Sequence, residues 1–348
     1  MVMEMAHSFL LYYQRLNRER QKILEIVDGR TYFPEKERKS RKIRYREIKN
    51  WLKTNGEVNE FYNLYGFDIV DSDISDYVPY EFFRVSRNRI NNLNSVESQT
   101  AILRDKLKFY KHCRSYGIPT PEVFGYNEGG VWYDLSGDFQ KKKDYLIKER
   151  TGECASWIRY CKTYEDLLNI DSLPRSGIIC QERIQQCKEM SLINSLSINT
   201  LRIVTVYNNG HPYILSSILR IGCKKTGFVD NWAKGGIAIG INRHGGLKQY
   251  GFFKPGFGTK CERHPDSGIV FKQFNVPQYN LALDLAKKAH STFGDIETIG
   301  WDIAITDKGP CFIEGNDNWE ISLMQCCDKP LMKQWKHILS EFERIKPL

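Results

Sequence analysis

The residues best placed to do chemistry lie near the C-terminal end, in the stretch GWDIAITDKGPCFIEGNDN from Gly300 to Asn318. Trp301, Ile303 and Ile305 alternate with Asp302 and Ala304, and Cys311 and Ile313 alternate with Phe312 and Glu314. This period of two around Asp307-Lys308-Gly309 predicts a β-hairpin, with a three-residue loop that ends on a left-handed glycine. The register sets Asp302 opposite Glu314 and keeps Asn316 on the same face. Facing carboxylates repel unless something neutralises them. Nearby Lys or Arg side chains would serve. A hard divalent cation would serve better, because two carboxylates and a carbonyl oxygen suit Mg²⁺. The alternative is a carboxylate pair at a strand end, hydrogen-bonded to its neighbours.

Three further features could handle an anion. Lys148 falls in a short strand, DYLIKE, on the same face as Leu146, and a lysine on a core face needs a partner such as a phosphate or a structural carboxylate. Arg202 interrupts the apolar face of Val204 and Val206 in a central strand and calls for a phosphate or carboxylate held bidentately. The segment from Gly222 to Gly240 carries Lys224, Lys225, Asp230, Asn231, Trp232 and Lys234 and ends in Lys-Gly-Gly, where backbone N–H groups could meet phosphate oxygens. It is otherwise a surface loop. Lys106, in a helix, signals little alone. No GxxxxGK[ST] and no GxGxxG after a strand occurs. No Ser-His-Asp or Cys-His nucleophile stands out, and the seven histidines lack metal-ligand spacing.

Composition narrows the class. With 348 residues, 41% hydrophobic and 27% charged, the chain reads as an ordinary soluble globular protein of two or three domains, with no apolar run long enough for a membrane span and no signal peptide. The ten cysteines form no CxxC pair. Cys180 and Cys311 sit in apolar strands, so packed thiols and a cytoplasmic location are expected. Adjacent Cys326-Cys327 read as buried thiols, with a redox pair as the alternative. Much of the net charge of +9 lies in KERKSRKIRYREIK. That run fits a solvated helix face, the favoured reading, or contact with an acidic partner such as nucleic acid, an anionic membrane surface or a protein. No nucleic acid partner is expected.

The elements that must position these groups follow in order. Residues 1–80 read as a helical region: one helix ending at Asp28-Gly29, a basic helix over roughly Glu35–Lys53, and a short third holding Phe61, Tyr62 and Leu64. Residues 81–125 form a connecting segment whose helix starts at an N-cap Ser98, runs through Leu103, Leu107 and Tyr110, and ends at Gly117. Residues 126–190 alternate short strands with helix, including Asp144–Glu149, Thr163–Asn169 and Ile178–Glu182. Residues 191–348 carry a hairpin, Ile198–Tyr207 with Tyr213–Ile221 across Asn208-Asn209-Gly210-His211. They continue with a helix over Pro277–Phe293 that presents Leu281, Leu285 and Ala289 on one face, the Asp302/Glu314 hairpin, and an amphipathic helix after Pro330.

Read together, a helix Lys before Gly-Ile-Pro-Thr-Pro, a strand Lys, a Gln-Glu strand end, a strand Arg, a Gly-rich loop and a final Asp…Glu-Gly-Asn resemble the ATP-grasp superfamily over roughly residues 100–320. Asp76–Phe83, Ser197–Arg202, Val229–Trp232 and Gly300–Asp302 look more closely like its sugar-transfer associated proteins of polysaccharide biosynthesis. The resemblance implies a fold of two α+β subdomains that clamp ATP, behind an N-terminal helical region. It also implies roles. Lys106 and Lys148 would contact the nucleotide, with Lys148 on its phosphates. Gln181, Glu182, Arg183 and Ile184 would form the hinge against adenine, and Glu189 would hold ribose. Arg202 would stabilise the transferring phosphate. The loop with Asp230, Asn231 and Lys234 would close over phosphates or acceptor, and Asp302, Glu314 and Asn316 would hold Mg²⁺. One departure concerns DNWEISLMQCC, which lacks a positive charge to orient a carboxylate substrate.

The implied reaction is ATP-dependent ligation through an acylphosphate, joining a small-molecule or glycan-linked carboxylate to an amine. Two rivals are a phosphotransferase acting on a hydroxyl and a non-catalytic basic binding module. A homodimer is a candidate assembly.

Overall fold

The computed structural model describes residues 2–92, 97–152, 157–208, 210–227, 229–294 and 296–345. The N-terminal third is helical: α1 (Val2–Asp28), α2 (Arg41–Asn55), α3 (Tyr80–Asn92), α4 (Glu97–Arg104) and α5 (Lys106–Ser115). The second helix starts later than its sequence suggests. Ser40 Oγ accepts from Ile43 N, and the left-handed Gly56 closes the other end. The expected short helix around Phe61 is a run of turns; its aromatic side chains pack into two neighbouring cores rather than onto one helical stripe. The expected single helix from Ser98 to Gly117 is two helices. Ser98 lies inside α4, and the break falls at Asp105, whose carboxylate caps Leu107 N and Lys108 N.

A five-stranded antiparallel sheet follows, built from β1 (Val123–Glu128), β2 (Val131–Asp134), β3 (Tyr145–Glu149), β4 (Ile158–Cys161) and, after α6 (Tyr164–Leu168), β5 (Ile178–Glu182), in the order β2-β1-β5-β3-β4. One face packs Phe124, Phe139, Tyr145, Ile147 and Cys180 into a core. Leu146 and Lys148 point to the other face. Leu146 is only partly buried and lines a cavity, so the leucine expected to be core is a wall of the cleft.

Next come α7 (Lys188–Ile193) and a seven-stranded sheet. Its strands are β6 (Thr200–Asn208), β7 (His211–Ile221), β8 (Ile237–Ile241), β9 (Leu247–Phe253), β10 (Lys260–Cys261) and, after α8 (Tyr279–His290), β11 (Thr298–Thr306) and β12 (Gly309–Asn316). The order is β10-β9-β8-β7-β6-β11-β12, all antiparallel. The chain closes with α9 (Ile321–Cys327) and α10 (Met332–Ile345). One face of the sheet buries Leu201, Ile203, Trp301, Ile303 and Phe312 under α8. That helix turns Ala282, Ala286, Ala289 and His290 inward, whereas Leu281, expected on the buried face, is 49% exposed. Small residues bring the helix axis close to the strands, which a stripe of leucines would not. The other face packs Val204, Val206 and Ile218 against Trp319 and Trp335 of the C-terminal segment and Tyr32, Phe61 and Phe83 of the N-terminal region. Two mixed layers of helix and antiparallel sheet make this an α+β protein.

Candidate active site

The hairpin that opened the sequence reading forms, and Asp302 pairs with Glu314, but by a different route. Thr306 pairs with Gly309, so the loop is the two residues Asp307-Lys308, with Gly309 at φ +122°. That tighter turn would set Asp302 opposite Ile313. A β-bulge between Asp302 and Ile303 on the ladder restores the Asp302–Glu314 pairing. Ile313 and Glu314 consequently both line the cleft. Asn316 stays beside them, donating to Glu314 Oε1 at 3.4 Å and to Gly300 O at 3.3 Å.

The neutralising charges come from the neighbouring strands. Arg202 sits directly across from Asp302 on the ladder. Its Nε and a terminal nitrogen donate to the two carboxylate oxygens at 2.5 and 3.0 Å. Arg220 adds a contact to Asp302 Oδ2 at 3.1 Å, and its Nε lies 3.4 Å from Asp230 Oδ2. Burial alone would raise the Asp302 carboxyl, but the two guanidiniums overcome it and hold it at about 2. Glu314 moves the other way. Burial, then the charge and hydrogen bond of Asp302, push its carboxyl up. The pair is thus one ionised carboxylate beside one that favours its proton.

Opposite them, Lys148 projects from β3 and is 9% exposed. Burial lowers its ammonium to about 8, with Glu314 opposing the shift and Lys106 adding to it. Among the described residues no group accepts a hydrogen bond from Lys148. Lys106 starts α5 and donates from Nζ to Gly152 O at 2.5 Å. The Asp105–Arg150 ion pair at 2.6 Å fixes that corner.

These groups line a cavity of about 490 Å³ between the two sheets, within the size range of small-molecule sites. Of the residues singled out from sequence, Lys106, Lys148, Arg183, Ile184, Asp230, Asn231, Asp302 and Glu314 line it. Arg202 stands behind Asp302 and Asn316 beside Glu314. Gln181 is buried with Nε2 unpaired, and Glu182, Glu189 and Lys234 are exposed; none of these four reaches the cavity wall. The loop over the cavity is shaped by Gly236, where a Cβ would come within 2.6 Å of Asp230 O, and by Asn231, whose side chain accepts from Ala233 N at 2.8 Å. Among the described residues no three His, Cys, Asp or Glu side chains form a metal-binding group; the third oxygen near Asp302 and Glu314 is the Asn316 amide. Sequence reasoning missed Arg220. Its signal was the hairpin register, which pairs it with Thr200, two residues along the same face from Arg202. It also missed the apolar wall of Trp157, Ile158, Leu196 and Ile198.

The architecture defines the class: an α+β protein whose two antiparallel sheets close on one cleft, with lysines from the smaller side facing carboxylates from the larger. Residues 167–339, about half of the chain, match the family model described as sugar-transfer associated ATP-grasp, and over this stretch the chain belongs to that family. Among curated proteins none matches the chain. Similar solved structures include N5-carboxyaminoimidazole ribonucleotide synthetase from Thermotoga maritima, with 13% identity, 66% of this chain and 48% of that chain covered, and TM-score 0.38. L-Amino acid ligase from Bacillus licheniformis shows 13% identity, coverage of 63% and 41%, and TM-score 0.35. D-Alanine–D-alanine ligase from Bacillus anthracis shows 11% identity, coverage of 71% and 68%, and TM-score 0.41. The chain spans about half the length of the first of these.

Proposed function

We propose that the chain is an ATP-dependent carboxylate–amine ligase working through an acylphosphate, with residues 126–190 and 191–348 as the two halves that clamp the nucleotide. One observation carries this reading: Lys148, buried without a hydrogen-bonding partner among the described residues, faces an ionised and a proton-favouring carboxylate across the cavity. A buried ammonium with no acceptor is costly, and a triphosphate would supply several. The apolar wall of Trp157 and Ile158 suits a purine ring, with Arg183 and Ile184 at its edge.

Asp302, Glu314 and Asn316 fit Mg²⁺ by donor type. Asp302 Oδ2 accepts from both Arg202 and Arg220, which leaves Oδ1, with one donor, as the oxygen with a lone pair to spare, and a cation beside it would favour the ionised form of Glu314. When bound, the ion would offset charge on the transferring phosphoryl group. The chain's own residues do the rest. Lys106 and Lys148 hold the phosphates, Arg202 keeps Asp302 aligned, and the Asp230–Gly236 loop covers the acceptor side. The substrate carboxylate oxygen attacks the γ-phosphorus as the bond to ADP breaks; the amine nitrogen then attacks the acyl carbon, phosphate leaves, and the amine proton passes to solvent. Arg220 supplies the positive charge for a carboxylate that the segment after Asn316 lacks. The family description, sugar-transfer associated, supports a sugar-linked substrate, and our reading sets the reaction in cell-surface polysaccharide or small-peptide biosynthesis in the cytoplasm.

Glu314→Ala should abolish Mg²⁺-dependent nucleotide turnover while thermal unfolding stays cooperative; turnover at the parent rate would refute the assignment. Screening carboxylate and amine pairs with MgATP by mass spectrometry should find a product lighter by water than the sum of its parts. A phosphorylated acceptor would instead identify a phosphotransferase.

A further inference from the structure

The solvent face of α2 carries a feature that the cleft does not explain. Lys42, Arg46, Lys49 and Lys53 are all exposed, and their spacing of four, three and four residues sets them in a single file along one side of the helix. The opposite side buries Arg44 and Ile48. None of the four cations makes an ion pair or hydrogen bond among the described residues. The other charges of the helix are spoken for: Arg41 pairs with Asp28, Arg44 donates to Val27 O, and Glu47, the helix's one acid, binds Lys39 and Tyr62. The first turn holds no acid and begins Arg41-Lys42, so the helix dipole is opposed as well. Like charges three and four residues apart also repel. The file works against helix stability on both counts.

We propose that this file docks the protein on an anionic lipid bilayer. Its geometry favours a plane: it is straight, it lies on the convex outer side of a helix, and at 1.5 Å per residue it runs about 16 Å. Three of its four members are lysines, compact point charges suited to diffuse attraction rather than bidentate recognition. The aromatic residue nearest the file, Tyr45, is half-buried against the core around Ile48 and gives no open platform for stacking bases. Among the described residues no helix is long and apolar enough to cross a membrane, so attachment would be electrostatic and peripheral. A basic residue near an anionic surface contributes about 1 kcal/mol, about fivefold in partitioning.

The test is sedimentation of the full chain with vesicles of phosphatidylcholine alone or with about one-third phosphatidylglycerol, in about 0.1 M salt. The protein should partition onto the anionic vesicles only, and about 0.5 M salt should release it. The variant Lys42→Gln/Arg46→Gln/Lys49→Gln/Lys53→Gln should lose binding by about a hundredfold or more. A control with the same net charge, Lys143→Gln/Lys288→Gln/Lys308→Gln/Lys336→Gln, changes four exposed lysines elsewhere and should bind like the parent. Equal binding to both vesicle types, no binding, or equal loss in the two variants would overturn the proposal. So would release of the protein from anionic vesicles by an equal phosphate concentration of duplex DNA, which would make nucleic acid the better partner.

Discussion

Lys148 shows how one residue couples burial to binding. Its ammonium is lowered to about 8 by desolvation, and a bound phosphate would favour the charged form. Above pH 8, therefore, nucleotide binding must take up a proton. ATP affinity should be flat from pH 6.5 to about 8 and then fall, approaching tenfold per pH unit. Calorimetry across that range, in buffers of differing ionisation heat, would see the proton directly. Lys148→Arg keeps the charge and should remove the slope; an unchanged slope would assign the proton to another group. Lys148→Ala should weaken ATP binding at pH 7, and equal affinity would remove the residue from the phosphate site. At this scale the sequence was informative where a charge interrupted an apolar pattern, as at Lys148 and Arg202. Arg220 was missed although the predicted hairpin register carried its signal, because an arginine near the end of that strand gains a role only when Asp230 comes within 3.4 Å of it and Asp302 within 3.1 Å.

At the scale of elements, the break at Asp105 does the positioning. Its carboxylate accepts from Leu107 N at 2.9 Å and Lys108 N at 3.3 Å while holding Arg150. Asp105→Ala should cost about 1–2 kcal/mol for the lost cap and weaken nucleotide binding through Lys106; urea unfolding and calorimetry measure the two effects. Asp105→Asn should keep most of the cap and lose the ion pair. The helix and strand types were largely legible in the sequence. Alternation gave β3, β5 and both hairpins, and Asn55-Gly56 marked a real helix end, whereas Asn209 of the Asn-Gly turn lies outside the described residues. Misreadings arose where a tertiary contact overrode local pattern. Asp105 looked like an ordinary polar residue within one helix because Arg150, its partner, is 45 residues away. The face of α8 was misread at one residue: Ala289 is buried and Leu285 packs on the core as expected, but Ala282 and Ala286 take the inward position given to Leu281. Turns around Phe61 mimic a helix because their aromatic residues serve two cores at once. The family match from 167 to 339 begins later and ends later than the stretch from 100 to 320 that resemblance alone outlined.

For the whole molecule, acid sensitivity follows from one core histidine. His290 is fully buried at the end of α8, bonded to Ile296 O at 2.8 Å and packed against the rings of Tyr207 and Trp301. Burial lowers its imidazole to about 4 from an ordinary 6.5. The unfolded chain therefore takes up this proton first as pH falls, and the fold loses stability between pH 6.5 and 4. The loss reaches about 3 kcal/mol for this group. His290→Gln keeps a donor for Ile296 but does not titrate. Its unfolding free energy should fall less steeply through that window, by about one proton's worth of slope. Parallel curves for parent and variant would show that carboxylates alone set the acid limit.

The bulge at Ile313 has a consequence for how this protein can change over generations. Because the extra residue sits between the tip of the hairpin and its acidic end, the tip can lengthen or shorten by one while the acidic end keeps its partner across the ladder. A descendant with a three-residue tip and no bulge, or a deletion variant lacking Ile313, should still bring Asp302 and Glu314 together. Hairpin length is therefore a poor guide to kinship among such chains, and the Asp–Glu pairing a better one.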